Sequence, residues 1–446
     1  MSEVSDSRTV PIVSQRKKQN FIKAEYTRKY QHNNKLGKSM IKKGVDFVRK
    51  KPIIFIVVLA LMLQIITFST YGDGGEDATP ATTGVFDLKA KAYTLMEADT
   101  GNILIEGNSH EKLPIASITK IMSMLLIMEA IDSGKLTFDD RVYVSDHAFS
   151  MGGSQVWLEP GEEFSVDEML KAVAIHSAND ATVALAETVA GSEEAFVAMM
   201  NQKAKELGMN NTNFLDCTGL TDDGHYSTAH DIAIMSRELI TKHPKILEYT
   251  SIWQDKFRDG VEGKTPVALD NTNKLIRFYE GANGLKTGFT RKAGHCLSAT
   301  AKRNNLQLIA VVLGEPDSNT RFTEARKLLD YGFANYESRT VNSKGEQIQE
   351  IEVKRGLKTS VNAVYSDDVN LLVKKGSSDA VERQINIETS IKAPVKAGQK
   401  IGEVVYILDG KEIGKTDIVA DADVERATFG RLFVKIIIQW FGMGRR

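Results

Sequence analysis

Three short motifs follow one another along this chain: Ser117-Ile-Thr-Lys120, Ser177-Ala-Asn179 and Lys286-Thr-Gly288. Together they supply the parts of an acyl-transfer site built on a serine. A serine hydroxyl is a poor nucleophile and needs a base beside it. Residues i and i+3 share a helix face, so Ser117 and Lys120 come within hydrogen-bond reach of each other. The lysine serves as base only when unprotonated, and burial or neighbouring positive charge lowers its pKa toward that state. Lys120 is followed by Ile-Met-Ser-Met-Leu-Leu, so the helix reads as buried rather than solvated. A helix N-terminus at Ser117 adds backbone N–H groups and a positive dipole end where an oxyanion would develop. Ser-x-x-Lys also occurs at Ser14–Lys17 and Ser39–Lys42, in a basic tail with nothing else to suggest catalysis. The later motifs therefore carry the weight. Lys286 and Thr287 offer a positive charge and a hydroxyl to a terminal carboxylate. Gly288 leaves room for substrate backbone to approach a strand and extend the sheet.

The flanks narrow the reading. Pro114-Ile-Ala-Ser-Ile-Thr-Lys120, His176-Ser-Ala-Asn-Asp180, His225-Tyr-Ser-Thr-Ala-His-Asp231 and Gly284-Leu-Lys-Thr-Gly-Phe-Thr290 resemble the low-molecular-mass penicillin-binding proteins. Those are the serine-type D-alanyl-D-alanine carboxypeptidases of bacterial cell walls. The motif order and wide spacing match the penicillin-recognising serine enzymes. The resemblance covers roughly residues 86–446 and is most specific over 86–335. It implies an α/β (α+β) serine transpeptidase/β-lactamase-like domain, with an antiparallel sheet and a helical subdomain, followed by a small all-β domain. It implies that Ser117 attacks the penultimate D-Ala carbonyl of a peptidoglycan stem peptide and that water resolves the acyl-enzyme. Lys120 would be the proton acceptor, Ser177 a proton relay, and Asn179 a ligand of the substrate amide. Phe289 would offer its N–H as second oxyanion donor beside that of Ser117, and Arg321 would meet the terminal carboxylate. β-Lactams are the implied inhibitors, and no cofactor is implied. Phe289 stands where some relatives carry a histidine, and Thr272 where some carry an arginine; both bear on specificity and rate, not on reaction type.

Two other readings fit the motifs less well. A class A β-lactamase needs a deacylating glutamate, usually in Glu-x-x-Leu-Asn, and no such pentapeptide lies between 180 and 285. A non-catalytic wall-binding scaffold would not need all the motif-defining residues intact. Histidines 176, 225 and 230 lack metal-ligand spacing and read as structural, with no metal expected. Asp231 organises a loop or caps a helix. Cys217 and Cys296 are too few for a disulfide framework. Cys296 lies in an apolar run and reads as a packed core residue; a bridge between the two would fit an oxidising compartment, but spacing does not establish it.

The elements that must position these residues are visible as patterns. A strand runs through Ala92-Tyr-Thr-Leu-Met96, turns at Asp99-Thr-Gly101 and returns through Asn102–Ile105. A helix covers Ile118–Ile131, and helical periodicity recurs over 166–190 and 193–207. Strands follow at 296–301 and 306–313, then a closing helix at Glu324–Tyr336. This catalytic domain spans 86–336. Short alternating runs such as Ile348–Val353 and Val404–Leu408 mark a β-sandwich domain at 340–425, with a hairpin signal at Asp409-Gly410.

The termini point to a membrane. Net charge is −1 overall, which argues against a nucleic-acid partner, yet residues 1–51 hold 14 Lys/Arg against 4 Asp/Glu. That basic stretch reads as a cytoplasmic tail. Segment 52–71 is apolar and at about 1.5 Å per residue approaches bilayer thickness, so it is either a transmembrane anchor or a signal sequence. Residues 72–85 form a polar linker. At 427–446 an amphipathic helix sets Phe429, Leu432, Phe433, Ile436, Trp440 and Phe441 opposite Thr428, Arg431, Lys435 and Gln439, the pattern of a helix lying on membrane lipid. The expected location is the extracytoplasmic face of a bacterial cell membrane.

Overall fold

The structure, a computed structural model, describes residues 86–221, 223–260, 263–376, 381–408, 410–431, 433–434 and 437. The expected tail, apolar segment and linker (1–85) lie outside the described residues, as do Leu432, Lys435, Ile436, Gln439, Trp440 and Phe441.

The first strand, β1 (Ala92–Glu97), is buried at every position and turns into β2 (Ile103–Gly107). The turn is closed by the Glu97 carboxylate, which accepts from the amides of Asp99 and Thr100. After a 3₁₀ turn (Ala116–Thr119) comes α1 (Lys120–Asp132), in which every residue from Lys120 to Met128 is buried. A helix apolar all round belongs in a core, and α1 is the centre of the helical subdomain. Around it lie α2 (Asn179–Ala190), α3 (Glu193–Glu206) and α4 (Ala229–Lys242). The helical stretch expected over 166–190 is interrupted. A capped helix Val166–Lys171 widens into a π turn at Ala172–His176, Ser177 then takes a left-handed conformation (φ 66°), and α2 starts afresh. Periodicity carries across the break because both sides bury apolar residues against α1.

Strands β3 (Ala282–Thr290), β4 (Gly294–Arg303) and β5 (Leu306–Glu315) form an antiparallel meander, and β5 pairs with β1. The sheet order is β2-β1-β5-β4-β3, so the strand bearing Lys286-Thr-Gly288 is an edge. Successive side chains of a strand point to opposite faces. Ile309, Val311 and Leu313 of β5 accordingly join the helical core. Leu308, Ala310 and Val312 face α5 (Ser318–Asn335) through its Phe322, Ala325, Leu328, Leu329 and Phe333. This helix begins six residues before the expected Glu324, because Asp317 accepts from the amides of Asn319 and Thr320 as an N-cap. Arg321 therefore sits in its first turn.

The strands after α5 are β6 (Tyr336–Asn342), β7 (Gln347–Lys354), β8 (Ser360–Tyr365), β9 (Val369–Lys374), β10 (Glu382–Ile387), β11 (Ser390–Lys392), β12 (Lys400–Leu408) and β13 (Lys411–Ala420). Six form one sheet in the order β10-β12-β13-β8-β7-β11, while β6 and β9 pair separately. Val353, Tyr365, Leu371, Val404, Tyr406 and Ile418 build their common core. The hairpin at 409–410 is present, with β12 and β13 paired up to Leu408 and Lys411 and Gly410 at φ 76°. The β-domain reaches back to α5: Lys375 donates from its ammonium to the Phe333 carbonyl and from its amide to Asn335. A cation at a helix C-terminus satisfies carbonyls that have no helical partner. Near the chain's end, Phe429, Phe433 and Val434 lie exposed on helical backbone. Among the described residues no helix is long and apolar enough to cross a membrane.

Candidate active site

Ser117 lies in the 3₁₀ turn, one turn before α1 proper, and the tighter winding keeps it three residues from Lys120 on the same side. The turn is seated from three directions. Thr119 Oγ1 donates to the Ala116 carbonyl, 2.8 Å away, inside the turn. From below, Gly219 approaches so closely that a Cβ there would stand 1.9 Å from Ala116 O. From the sheet side, a Cβ on Gly288 would stand 2.7 Å from Ile115 O and 3.1 Å from the Ile118 amide. The glycine of the third motif is thus required by the enzyme's own packing, before any substrate backbone approaches.

Lys120 has no exposed surface. Its Nζ lies 3.1 Å from Ser117 Oγ, 2.6 Å from Asn179 Oδ1 and 2.8 Å from the Thr218 carbonyl. Burial pushes its pKa down to about 8, against the pull of Cys217, Asp216 and Asp180. The sequence reading allowed neighbouring positive charge as a second cause; Lys286 is such a neighbour, while the carboxylates of Asp216 and Asp180 act the other way. The hydrogen-bond geometry decides what the neutral amine can do. Two of its partners are acceptors without a hydrogen to give, so they take both N–H groups of an –NH₂. The lone pair is left facing the Ser117 hydroxyl.

The second motif sits at the break in the helical stretch over 166–190. Ser177 is buried at the left-handed break, and Asn179 is the first residue of α2. Asn179 is held at both ends of its amide, accepting from Lys120 and donating to Gly152 O at 2.6 Å. Its backbone N–H is anchored on Ser154 O. Next to it, the buried Asp180 carboxylate accepts from the amides of Val156 and Leu158 and fixes the 152–158 loop.

On the edge strand, Lys286 is buried and donates to the Thr287 carbonyl at 3.0 Å. Burial, then repulsion by Lys120 and Arg321, drives its pKa well below the ordinary lysine range. Thr287 Oγ1 is paired at 2.6 Å with Thr272 Oγ1, which gives Thr272 a place at the site. Phe289 is half exposed at the rim and stacks on His295 with ring centroids 4.4 Å apart. Arg321, 6% exposed, reaches behind the strand to the carbonyls of Gly288 and Cys296 at 3.2 and 3.3 Å. Burial lowers its pKa to about 10, so it stays charged. The acid closest to it electrostatically is silent: burial, with Glu324 adjacent, raises Glu315 to about 9, which leaves that carboxyl protonated at neutral pH. Arg321 keeps an uncompensated charge behind the Lys286–Gly288 strand.

Sequence reasoning missed the Thr218 carbonyl, since any residue type supplies one. It also missed Asp216, although Asp-Cys-Thr-Gly is a turn signal. Cys217 and Cys296 are free, buried thiols. Asp231 does organise a loop: its carboxylate accepts from the Asn211 amide and the Thr212 hydroxyl, while its own N–H meets the helix-capping Thr228.

Residues 77–317 match the family model described as D-alanyl-D-alanine carboxypeptidase, and 336–426 match that of the penicillin-binding protein 5 C-terminal domain. The chain is 42% identical to the D-alanyl-D-alanine carboxypeptidase DacF of Bacillus subtilis, over 86% of this chain and 97% of that one. Among solved structures it is similar to penicillin-binding protein 5 of Haemophilus influenzae, with a TM-score of 0.64 and 33% identity over 76% of this chain and 99% of that one. It is also similar to penicillin-binding protein D2 of Listeria monocytogenes in its ampicillin-bound form, with a TM-score of 0.50 and 33% identity over 56% of this chain and 98% of that one.

The seating of the turn is testable at Gly219, whose φ is 82°. Gly219→Ala forces a left-handed alanine and drives its methyl into Ala116 O. It should destabilise the protein by roughly 2–4 kcal/mol in chemical denaturation. A wild-type denaturation midpoint would mean that the turn is not seated on this glycine.

Proposed function

The chain belongs to the D-alanyl-D-alanine carboxypeptidase family, and from that premise we propose that Ser117 is the acyl-forming nucleophile and Lys120 its general base. The protein is a serine-type carboxypeptidase that removes the terminal D-Ala from a D-Ala-D-Ala substrate. The observation that carries the residue roles is the buried amine whose two hydrogens are engaged and whose third direction points at Ser117. Deprotonated, Lys120 takes the Ser117 proton as Oγ adds to the penultimate D-Ala carbonyl. The oxyanion falls to the N–H groups of Ser117 and Phe289. Ser177 passes the proton to the departing D-Ala nitrogen, and the C–N bond breaks. Water then attacks the ester, releasing the shortened peptide and regenerating the serine. Asn179 holds both Lys120 and the substrate amide. Lys286, Thr287 and Arg321 receive the terminal carboxylate, whose negative charge opposes the burial and the cationic repulsion that depress the Lys286 pKa. A β-lactam carries a carboxylate and a strained acyl group, so it follows the first half of this path.

The substrate we propose is the peptidoglycan stem peptide, met on the extracytoplasmic face of the cell membrane. The domain division we adopt is 86–336 for catalysis and 340–425 for the β-sandwich, with β6 as the seam. Segment 52–71 is the proposed anchor, and 427–446 a second, lipid-lying contact; the exposed Phe429, Phe433 and Val434 support the latter. A β-lactamase reading gains no support from any feature of the site.

Labelled penicillin should acylate Ser117 and no other serine, with a rate that climbs with pH through a midpoint near 8, as Lys120 loses its proton. Lys120→Arg should reduce acylation by several orders of magnitude in a folded protein, because guanidinium stays protonated. Near-native acylation by that variant would remove Lys120 from the role of base.

Arg321→Ala should cost peptide hydrolysis on the order of 2–3 kcal/mol in kcat/KM, the loss of a charge-assisted contact. Unchanged kinetics on peptides with a free carboxylate would reduce Arg321 to a backbone brace.

Deleting 427–446 should leave the full-length protein in the membrane fraction. Its appearance in the medium with an N-terminus near residues 72–84 would instead mark 52–71 as a cleaved signal.

A further inference from the structure

Beneath the nucleophile turn lies a group of polar side chains, His225 buried and Asp216 partly so, to which the reaction scheme gives no part. Asp216 Oδ1 accepts from the Thr218 amide at 2.7 Å, the Thr218 hydroxyl at 2.9 Å and the Gly219 amide at 2.5 Å. Its Oδ2 accepts from the Thr221 amide at 2.8 Å. One carboxylate thus folds the loop whose Thr218 carbonyl reaches Lys120 Nζ and whose Gly219 lies under Ala116.

His225, 1% exposed, ties the same loop to the turn from the other side. Its Nε2 is 2.8 Å from Thr119 Oγ1. That hydroxyl gives its single hydrogen to Ala116 O, so toward the ring it can only accept, and Nε2 carries the proton. Nδ1 accepts from the Leu215 amide at 3.2 Å. The 3.7 Å between Nδ1 and Asp216 Oδ2 is too long for a hydrogen bond but within ion-pair distance, and attraction between the two lowers the Asp216 pKa against the effect of burial.

We propose that Asp216 and His225 are positioning residues for acylation, Asp216 setting the Thr218 carbonyl against the Lys120 amine and His225 fixing the turn that carries Ser117. The inference rests on Lys120 being the base. Asp216 acts on that base in a second way, through its charge. Lys120 is faced by Asp216 and Cys217 from this loop and by Asp180 from α2, and it repels Lys286 on β3; Glu193 stands against Cys217. Removing the Asp216 charge withdraws support from the ammonium, so the neutral amine persists to lower pH.

The test is the second-order rate of penicillin acylation against pH, with folding followed by circular dichroism. Asp216→Asn keeps an oxygen for Thr218 and Gly219 but loses the charge, and its acid limb should move to lower pH. Asp216→Ala should also lower the alkaline plateau, by roughly 10- to 100-fold, as the loop loses its acceptor. His225→Leu should lower the plateau by a similar factor, and His225→Gln, whose amide can still donate to Thr119, should recover most of it. An unmoved acid limb in Asp216→Asn overturns the part given to Asp216. A native plateau in folded His225→Leu, or no recovery in His225→Gln, overturns that given to His225. Wild-type enzyme unlabelled at Ser117 would instead defeat the assignment of nucleophile and base, so the two failures are distinguishable.

Discussion

Lys120 holds its amino group away from water, where an isolated ammonium would cost several kcal/mol. The surrounding chain answers that cost with acceptors drawn from three separate pieces: the 3₁₀ turn of Ser117, the start of α2 and the 216–221 loop. Each supplier carries an unusual backbone feature in consequence. Ala116 and Ser177 adopt positive φ without being glycine, and Gly219 and Gly288 give up side chains so that main chains can meet. Other non-glycine residues with positive φ, among them Asn108, Trp157, Arg258, Asn304 and Arg355, belong to other parts of the chain. Strained or tightly approached backbone persists only where its surroundings over-determine it, and around Lys120 the over-determination is the solvation of a buried amine.

The same economy of charge shapes the other wall. Three cationic groups (Lys120, Lys286 and Arg321) stand within electrostatic reach of one another. Burial lowers the proton affinity of both lysines, with cationic repulsion adding to it at Lys286, while Arg321 keeps its charge and Glu315 gives up its own. A site left short of negative charge in this way is complementary to a ligand that brings a carboxylate.

Much of this was legible beforehand because chemistry at i and i+3, and apolar runs on either side of it, are written locally. Ser117, Lys120 and the edge strand with Lys286-Thr-Gly288 fell where their spacing placed them. The break at Ser177 was hidden, because the residues before and after it bury the same kind of surface. Helix α5 began early because a single Asp317 cap outweighed a polar stretch, Ser318–Thr323, with little apolar periodicity. Thr218 was invisible in principle: its contribution is a main-chain carbonyl, brought to Lys120 from a sequence separation of 98 residues. Gly288 was read as room for substrate backbone, whereas the close neighbours present there are Ile115 and Ile118 of the chain itself.

Helix α5 has a mechanical consequence. It carries Arg321 at one end, against the carbonyls of β3 and β4, and is gripped at the other by Lys375 of the β-domain. Its 18 residues make a rod about 27 Å long. A tilt of about 5° imposed on that rod where Lys375 holds it would carry the arginine end through about 2 Å, more than a guanidinium can move and keep its bonds. The β-domain thus grips one end of a rod whose far end carries Arg321, so that a small tilt at Lys375 arrives at the carbonyls of Gly288 and Cys296 as a displacement.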